Sequence, residues 1–257
     1  MTPTTRFADR TVIVTGASSG IGAGIARRFA DEGANVVLVG RDRAKLDRAA
    51  AAYDPARSLA VAADIGVPAD ARAIVEAATA RFGGIDVLVN NAGIAVMGRI
   101  DEVAPEDWQK VIQTDLTGTY LVTRAAWEAL RASGGNVVNV SSVSGTGGDW
   151  GMFAYNAAKG GVTNLTRALA LDAGTSGIRV NAVNPSFTRS DLTEDMFEDA
   201  ELVAKFVERI PLGRPAEPED IAGVVAFLAS PDARFVNGVN LAVDGGLSAS
   251  NGQPAQA

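Results

Sequence analysis

The sequence predicts a single α/β domain built on a doubly wound parallel sheet. Short β-branched apolar runs alternate with longer helical patterns along the 257 residues, as repeated βαβ units require. A glycine-rich turn, Thr15-Gly16-Ala17-Ser18-Ser19-Gly20-Ile21-Gly22, separates the first run from the first helical stretch. With 47% hydrophobic residues the chain can fill one well-buried core, and no linker, repeat or low-complexity tract divides it.

Strands are expected near Thr11–Thr15, Asn35–Gly40, Ser58–Ala62, Asp86–Asn90, Asn136–Ser141, Arg179–Asn184 and Gly238–Val243. Helices are expected over Gly20–Glu32, Arg43–Ala52, Pro68–Phe82, Pro105–Arg131, Tyr155–Ala173 and Pro218–Ala229. The run from Ser190 to Val207 mixes acidic and apolar residues and reads as one or two short helices over the site, within a mobile lid at about 187–212. A short polar tail at 247–257 completes the single domain 1–257. Parallel strands buried on both faces, joined by right-handed crossovers, place ligands at their carboxyl ends. The glycine turn, Asn90, Ser141 and Asn184 all fall on that edge.

Composition narrows the chemistry. A net charge of −7 leaves no basic stripe for a general nucleic-acid binder. The chain has no cysteine and no histidine, so a zinc site of the alcohol-dehydrogenase type lacks its usual ligands and no metal is expected. Proton transfer falls to Tyr, Lys, Asp or Glu. Met1 to Arg10 offers no apolar core for a signal peptide, and no stretch approaches a membrane span, so a cytoplasmic protein without membrane contact is expected.

Gly16, Gly20 and Gly22 allow a tight turn and close approach of backbone to a pyrophosphate, with the following helix N-terminus favouring its charge. The spacing is G-x-x-x-G-x-G, unlike the G-x-G-x-x-G fingerprint. At the end of the second strand Gly40 stands where an acid for the ribose of NAD is expected, and Arg41 comes next. Arg41 favours the 2′-phosphate of NADP, while Asp42 keeps NAD open by swinging onto the ribose. Asp64 serves either the adenine edge or a turn. Tyr155 and Lys159 lie one helical turn apart on one face, so the ammonium is expected to make the phenol more acidic than its ordinary pKa of about 10. Tyr155 is then the general acid or base, Lys159 its cationic support, and Ser142 a hydrogen-bond donor to the substrate oxygen.

In combination and order, several motifs resemble the short-chain dehydrogenase/reductases over nearly the whole chain. They are Thr15-Gly16-x-x-x-Gly20-x-Gly22, Asp64, Asn90-Asn91-Ala92-Gly93, Ser142, Tyr155-x-x-x-Lys159, Asn184-Pro185 and Asp244-Gly245-Gly246. The resemblance implies a Rossmann-type sheet of seven strands, NAD(P) as cofactor, no metal and a homotetramer. It also implies that Ser18, Ser19 and Ile21 join the glycines at the phosphates, and that Asp64 and Ile65 flank adenine. Asn91 and Gly93 would border its ribose, and the stretch from Pro185 to Thr188 would meet the nicotinamide amide. Asp115 stands where many members carry a catalytic asparagine. A carboxylate accepts but does not donate, which leaves either a proton-relay or water-holding role or a plain helix aspartate. Ser186 replaces the glycine that usually comes after the proline.

Gly147-Gly148-Asp149-Trp150-Gly151, Asn184-Pro185-Ser186 and Asn251-Gly252-Gln253-Pro254 look like the bacterial acetoin/diacetyl reductases, which interconvert with 2,3-butanediols. On that likeness Ser144 and Trp150 would border a small substrate pocket, and Gln253 would reach a neighbouring subunit's site. Loop packing is the competing reading of Trp150, and a disordered tail that of Gln253. The expected activity is NAD(P)-dependent interconversion of a small ketone and secondary alcohol. The alternatives are 3-oxoacyl-thioester, steroid or sugar reduction on the same site, or a non-catalytic dinucleotide sensor.

Overall fold

Residues 5–253 are described in the computed structural model; the ends of the chain, including the last four residues of the expected tail, lie outside them. Seven strands form one parallel sheet: β1 (Thr11–Thr15), β2 (Asn35–Gly40), β3 (Ser58–Ala62), β4 (Val87–Asn90), β5 (Asn136–Val140), β6 (Arg179–Pro185) and β7 (Asn240–Val243). Their order is β3-β2-β1-β4-β5-β6-β7. The direction in which strands are added reverses between β1 and β4, the switch point at which such sheets open a ligand crevice. The helices are α1 (Gly20–Asp31), α2 (Arg43–Ala50), α3 (Pro68–Phe82), α4 (Pro105–Val111), α5 (Gly118–Ser133), α6 (Phe153–Ala173), α7 (Glu194–Glu198), α8 (Ala200–Glu208) and α9 (Pro218–Ala229).

Alternate strand residues feed opposite core layers, as the two-residue period of a strand dictates. Val12, Val14, Val36, Leu38 and Val89 pack with Ile25 and Phe29 of α1 and Ile221 and Val225 of α9. Ile13, Val37, Val39 and Leu88 pack on the other face with Ile74 of α3 and Val122 and Leu130 of α5. Because helices cover both faces, the strands read as nearly continuous apolar runs. Phe29 also meets Phe7 edge to face, with ring centroids 4.7 Å apart.

The fourth crossover departs from expectation. In place of one helix from Pro105 to Arg131, a π-helical turn over Ile112–Thr117 separates α4 from α5. A π turn takes in one extra residue and so rotates the helix beyond it. Here it is held by Gln113, whose amide donates to the Gly66 carbonyl at 2.6 Å, and by Thr119, whose hydroxyl donates to the Asp115 carbonyl at 2.7 Å. Neither contact has a periodicity signal, so the sequence reads straight through the turn.

The acidic stretch after β6 forms two short helices, α7 and α8. Phe187, just past the strand, stacks on Phe197 of α7 and on Phe206 of α8, both at 4.4 Å between centroids. The aromatic sandwich ties both helices to the carboxyl edge of the sheet.

Candidate functional site

A cleft of 580 Å³ opens along the carboxyl edge of the sheet. At its floor, the glycine turn closes because nothing else fits. A Cβ on Gly22 would sit 2.1 Å from the Gly16 carbonyl oxygen, and Gly16 holds a left-handed φ of +66°. Asn91 locks the turn from the end of β4, its amide donating to the carbonyls of Thr15 at 3.0 Å and Gly16 at 3.3 Å. The Thr15 hydroxyl accepts from the backbone amides of Asn91 and Ala92. Ser18, Ser19, Gly20, Ile21 and Gly22 line the cleft at the N-terminus of α1. That arrangement offers unpaired backbone N–H groups and a positive helix end to an anion.

Gly40, Arg41 and Asp42 wall one end of the cleft. The Asp42 carboxylate accepts from the backbone N–H of Lys45 at 3.0 Å, and this bond lowers its pKa. It therefore caps α2 rather than standing free beside a ribose. Asp64, Ile65, Asn91 and Gly93 form the next part of the wall. Asp64 combines its two predicted roles, lining the cleft while its carboxylate accepts from Gly66 N at 2.8 Å.

At the far end Ser142, Tyr155 and Lys159 face the same cleft, joined by Pro185, Ser186 and Thr188. Phe187 of the expected Pro185–Thr188 stretch instead turns away into the aromatic sandwich beneath α7 and α8. Lys159 is buried, and its ammonium lies 5.5 Å from the centroid of the Tyr155 ring one turn earlier. Its Nζ donates to the Val140 carbonyl at 3.1 Å and lies 3.5 Å from Asp115 Oδ2. Asp115 is buried too. Its Oδ1 accepts from the backbone of Ile94 at 2.8 Å, while Oδ2 has no hydrogen-bond partner. The π turn swings this carboxylate inward. Gly93 leaves room for it, since a Cβ there would lie 2.8 Å from Oδ2.

The electrostatics correct one expectation. Burial raises the Tyr155 phenol above its ordinary pKa, and the opposing pull of Lys159 does not cancel it. Asp115 adds to the upward push, whereas a hydrogen bond with Ser142 acts against it. Desolvation wins because the half-buried tyrosine is packed in the cleft wall, away from most of the solvent. Burial alone would lower Lys159, but Tyr155 and Asp115 outweigh it, so the amine holds its proton more firmly than usual. Burial likewise raises Asp115, against the pull of Lys159 and the Ile94 N–H.

Trp150 and Ser144, expected at the pocket, lie outside the cleft wall. Trp150 is 96% exposed and does not reach the cleft. Its loop is fixed by Asn156, whose amide donates to the carbonyls of Ser144 at 2.8 Å and Gly147 at 3.0 Å, leaving the indole outside. Ser144 is buried behind Ser142 rather than on the cleft wall, and Gln253 is exposed and away from the cleft of its own chain. Thr114, brought to the wall by the π turn, was not among the expected site residues, and Ser190 to Thr193, expected only as lid, line the cleft as well. For Thr114, the sole available signal was its place beside Asp115.

The site suits a nicotinamide dinucleotide. Its glycine cradle, helix N-terminus and Arg41 complement phosphates, and a half-buried phenol and a buried ammonium stand at the opposite end.

Comparison with known proteins agrees with this geometry. Residues 16–248 match the family model described as enoyl-(acyl carrier protein) reductase. A short-chain dehydrogenase/reductase of the glucose/ribitol dehydrogenase type from Brucella melitensis superposes with a TM-score of 0.91 at 36% identity, covering 95% of this chain and 98% of that one. The chain belongs to the short-chain dehydrogenase/reductase family and is an oxidoreductase acting on CH–OH groups. Among its relatives, the meso-2,3-butanediol dehydrogenase of Serratia marcescens is 45% identical over 249 residues, 97% of this chain and 98% of that protein. The 3-ketoacyl-(acyl-carrier-protein) reductase of Brucella melitensis, solved with NADH, superposes with a TM-score of 0.87 at 38% identity, covering 94% of this chain and 99% of that one. Among the described residues, no helix is long and apolar enough to cross a membrane.

Proposed function

We propose that this protein interconverts small vicinal hydroxyketones, diketones and diols, with acetoin, diacetyl and 2,3-butanediol as the favoured substrates. The observation that carries the reading is the convergence of Ser142, Tyr155 and Lys159 on one cleft with the glycine cradle. The substrate class is supported by the likeness to a meso-2,3-butanediol dehydrogenase. When bound, NAD(P) supplies or takes up the hydride. In reduction, Tyr155 gives its phenolic proton to the oxygen that was the carbonyl, and Ser142 hydrogen-bonds the same oxygen. Lys159 steadies the tyrosinate left behind and has donor capacity for a ribose hydroxyl. In oxidation the same groups run in reverse. Asp115 acts as a positioning residue, a counter-ion that holds Lys159 and the Ile94 backbone. Helices α7 and α8 serve as a lid over the substrate end.

For the cofactor, NADP is the preferred form and NAD the second. Arg41 lines the cleft beside Gly40, which brings no acid to the ribose, and the Asp42 carboxylate is occupied as a helix cap. The reading extends to a homotetramer in the cytoplasm, supported by family membership. A screen of both cofactors against diacetyl, acetoin, 2,3-butanediols, sugars, a steroid and a 3-oxoacyl thioester tests it. Turnover should be highest on the four-carbon compounds, and highest on a sugar, steroid or thioester would contradict the substrate class. Arg41→Ala should weaken NADP by about tenfold and NAD little, the loss of a charge-assisted phosphate contact. Equal weakening of both would contradict the NADP preference. Tight cofactor binding without turnover of any substrate would favour a sensor.

A further inference from the structure

Behind Ser142 lies a hydrogen-bond chain that ends in a carboxylate. The Ser142 hydroxyl donates to Ser144 Oγ at 3.1 Å, and the Ser144 hydroxyl donates to Asp149 Oδ2. The backbone N–H of Ser144 donates back to Ser142 Oγ at 3.1 Å. A serine hydroxyl has one proton, and a carboxylate only accepts. With the Ser144 proton committed to Asp149, Ser144 can only accept from Ser142. The Ser142 proton is then drawn towards Ser144, the nearer of its two acceptors, the other being the Pro185 carbonyl at 3.5 Å, and an oxygen lone pair of Ser142 is left for the cleft.

Holding the loop does not require this carboxylate. Asn156 already pins the loop through the carbonyls of Ser144 and Gly147 and accepts from the Asp149 backbone at 3.4 Å. The Thr146 hydroxyl donates to the Val143 carbonyl at 2.9 Å. Asp149 itself is exposed, while Ser142 and Ser144 are buried. An exposed carboxylate thus acts on a buried hydroxyl through one intermediary.

We propose that Asp149 is a positioning residue which, through Ser144, biases Ser142 to accept a hydrogen bond and so favours bound alcohol over bound ketone. An alcohol hydroxyl can donate to Ser142 in this orientation. A ketone oxygen cannot, and Ser142 must first turn its proton back from Ser144. The inference rests on the alcohol/ketone reading of the cleft given above.

The test measures dead-end binding, which separates ground-state recognition from turnover. Dissociation constants are measured for 2,3-butanediol on the enzyme saturated with reduced cofactor, and for diacetyl on the enzyme saturated with oxidised cofactor. In Asp149→Ala, diol binding should weaken by about fivefold, the worth of one hydrogen bond, while diacetyl binding stays the same or tightens. Ser144→Ala cuts the same chain and leaves the carboxylate in place, so it should give the same change in ratio. The double variant should add nothing further. Equal weakening of both ligands, or no change in either variant, would overturn the inference. Thermal melting and cofactor titration of each variant separate these outcomes from misfolding. Failure of the wild type to turn over these ligands would count against the substrate reading instead, and the pair would then be replaced by the best alcohol and ketone of the screen.

Discussion

Tyr155 and Asp115 carry the sharpest consequence at the scale of single residues. A phenol whose pKa is raised stays protonated at neutral pH, which suits an acid that donates to a new alkoxide. In oxidation the phenol must first lose that proton. The rate of alcohol oxidation should therefore climb with pH through the alkaline range, and ketone reduction should fall there. Asp115 is one of the groups pushing the phenol up. Asp115→Asn should shift both limbs to lower pH while keeping the side-chain oxygen that can accept from Ile94. A profile that stays put, or moves upward, would count against the counter-ion role. Ser142, Tyr155 and Lys159 were legible in the sequence because their spacing fixes a helical face and a strand end. Trp150 was not, because its direction depends on which carbonyls Asn156 captures.

Within elements, side-chain contacts decide what hydrophobic pattern leaves open. The bounds of β1, β2, β3, α3 and α9 follow from apolar runs bracketed by glycine or proline. The π turn does not, since it rests on Gln113 and Thr119 reaching particular carbonyls. At α9, Asp220 accepts from the backbone of Glu217 at 2.8 Å and is gripped by Arg214 through two nitrogens, which lowers its pKa to about 2. A carboxylate depressed in the folded state stabilises above its unfolded pKa and loses that effect as pH falls through the folded value. Asp220→Asn should cost about 1 kcal/mol at neutral pH, after allowing for the solvent screening of a partly exposed pair. Urea titrations should show the gap narrowing as pH falls from about 4 towards 2. A gap independent of pH would mean that the charge contributes nothing.

The short helices α7 and α8 depend on Phe187 in a similar way. Phe187→Leu keeps an apolar side chain but removes both ring stacks, each worth about 0.5–1.5 kcal/mol. Hydrogen exchange should then quicken through residues 190–208 and leave the sheet unchanged. Uniform protection across those helices would show that the sandwich does not anchor them.

At the scale of the whole molecule, one parallel sheet brings distant stretches of sequence to a common edge. The glycine turn after β1, Asp64 after β3, Asn91 after β4, Ser142 after β5 and Pro185 in β6 line one cleft because all seven strands run the same way. The fold class and the motifs that line the glycine-turn end of the cleft were therefore readable from alternating patterns and local spacing. The substrate end was not, because its walls come from loops whose conformation is set by single hydrogen bonds such as those of Asn156 and Thr119. That division also separates the oxidoreductase assignment, which family membership carries, from the choice of substrate, which loops decide.

The central claim is that the Tyr155 phenol moves the proton while the rest of the cleft holds the cofactor. The most direct measurement compares wild type with Tyr155→Phe, following nicotinamide oxidation with diacetyl and titrating cofactor binding in parallel. Turnover should fall by about 10²–10⁴-fold with cofactor affinity nearly unchanged. Turnover close to wild type in a variant that binds cofactor normally would contradict it.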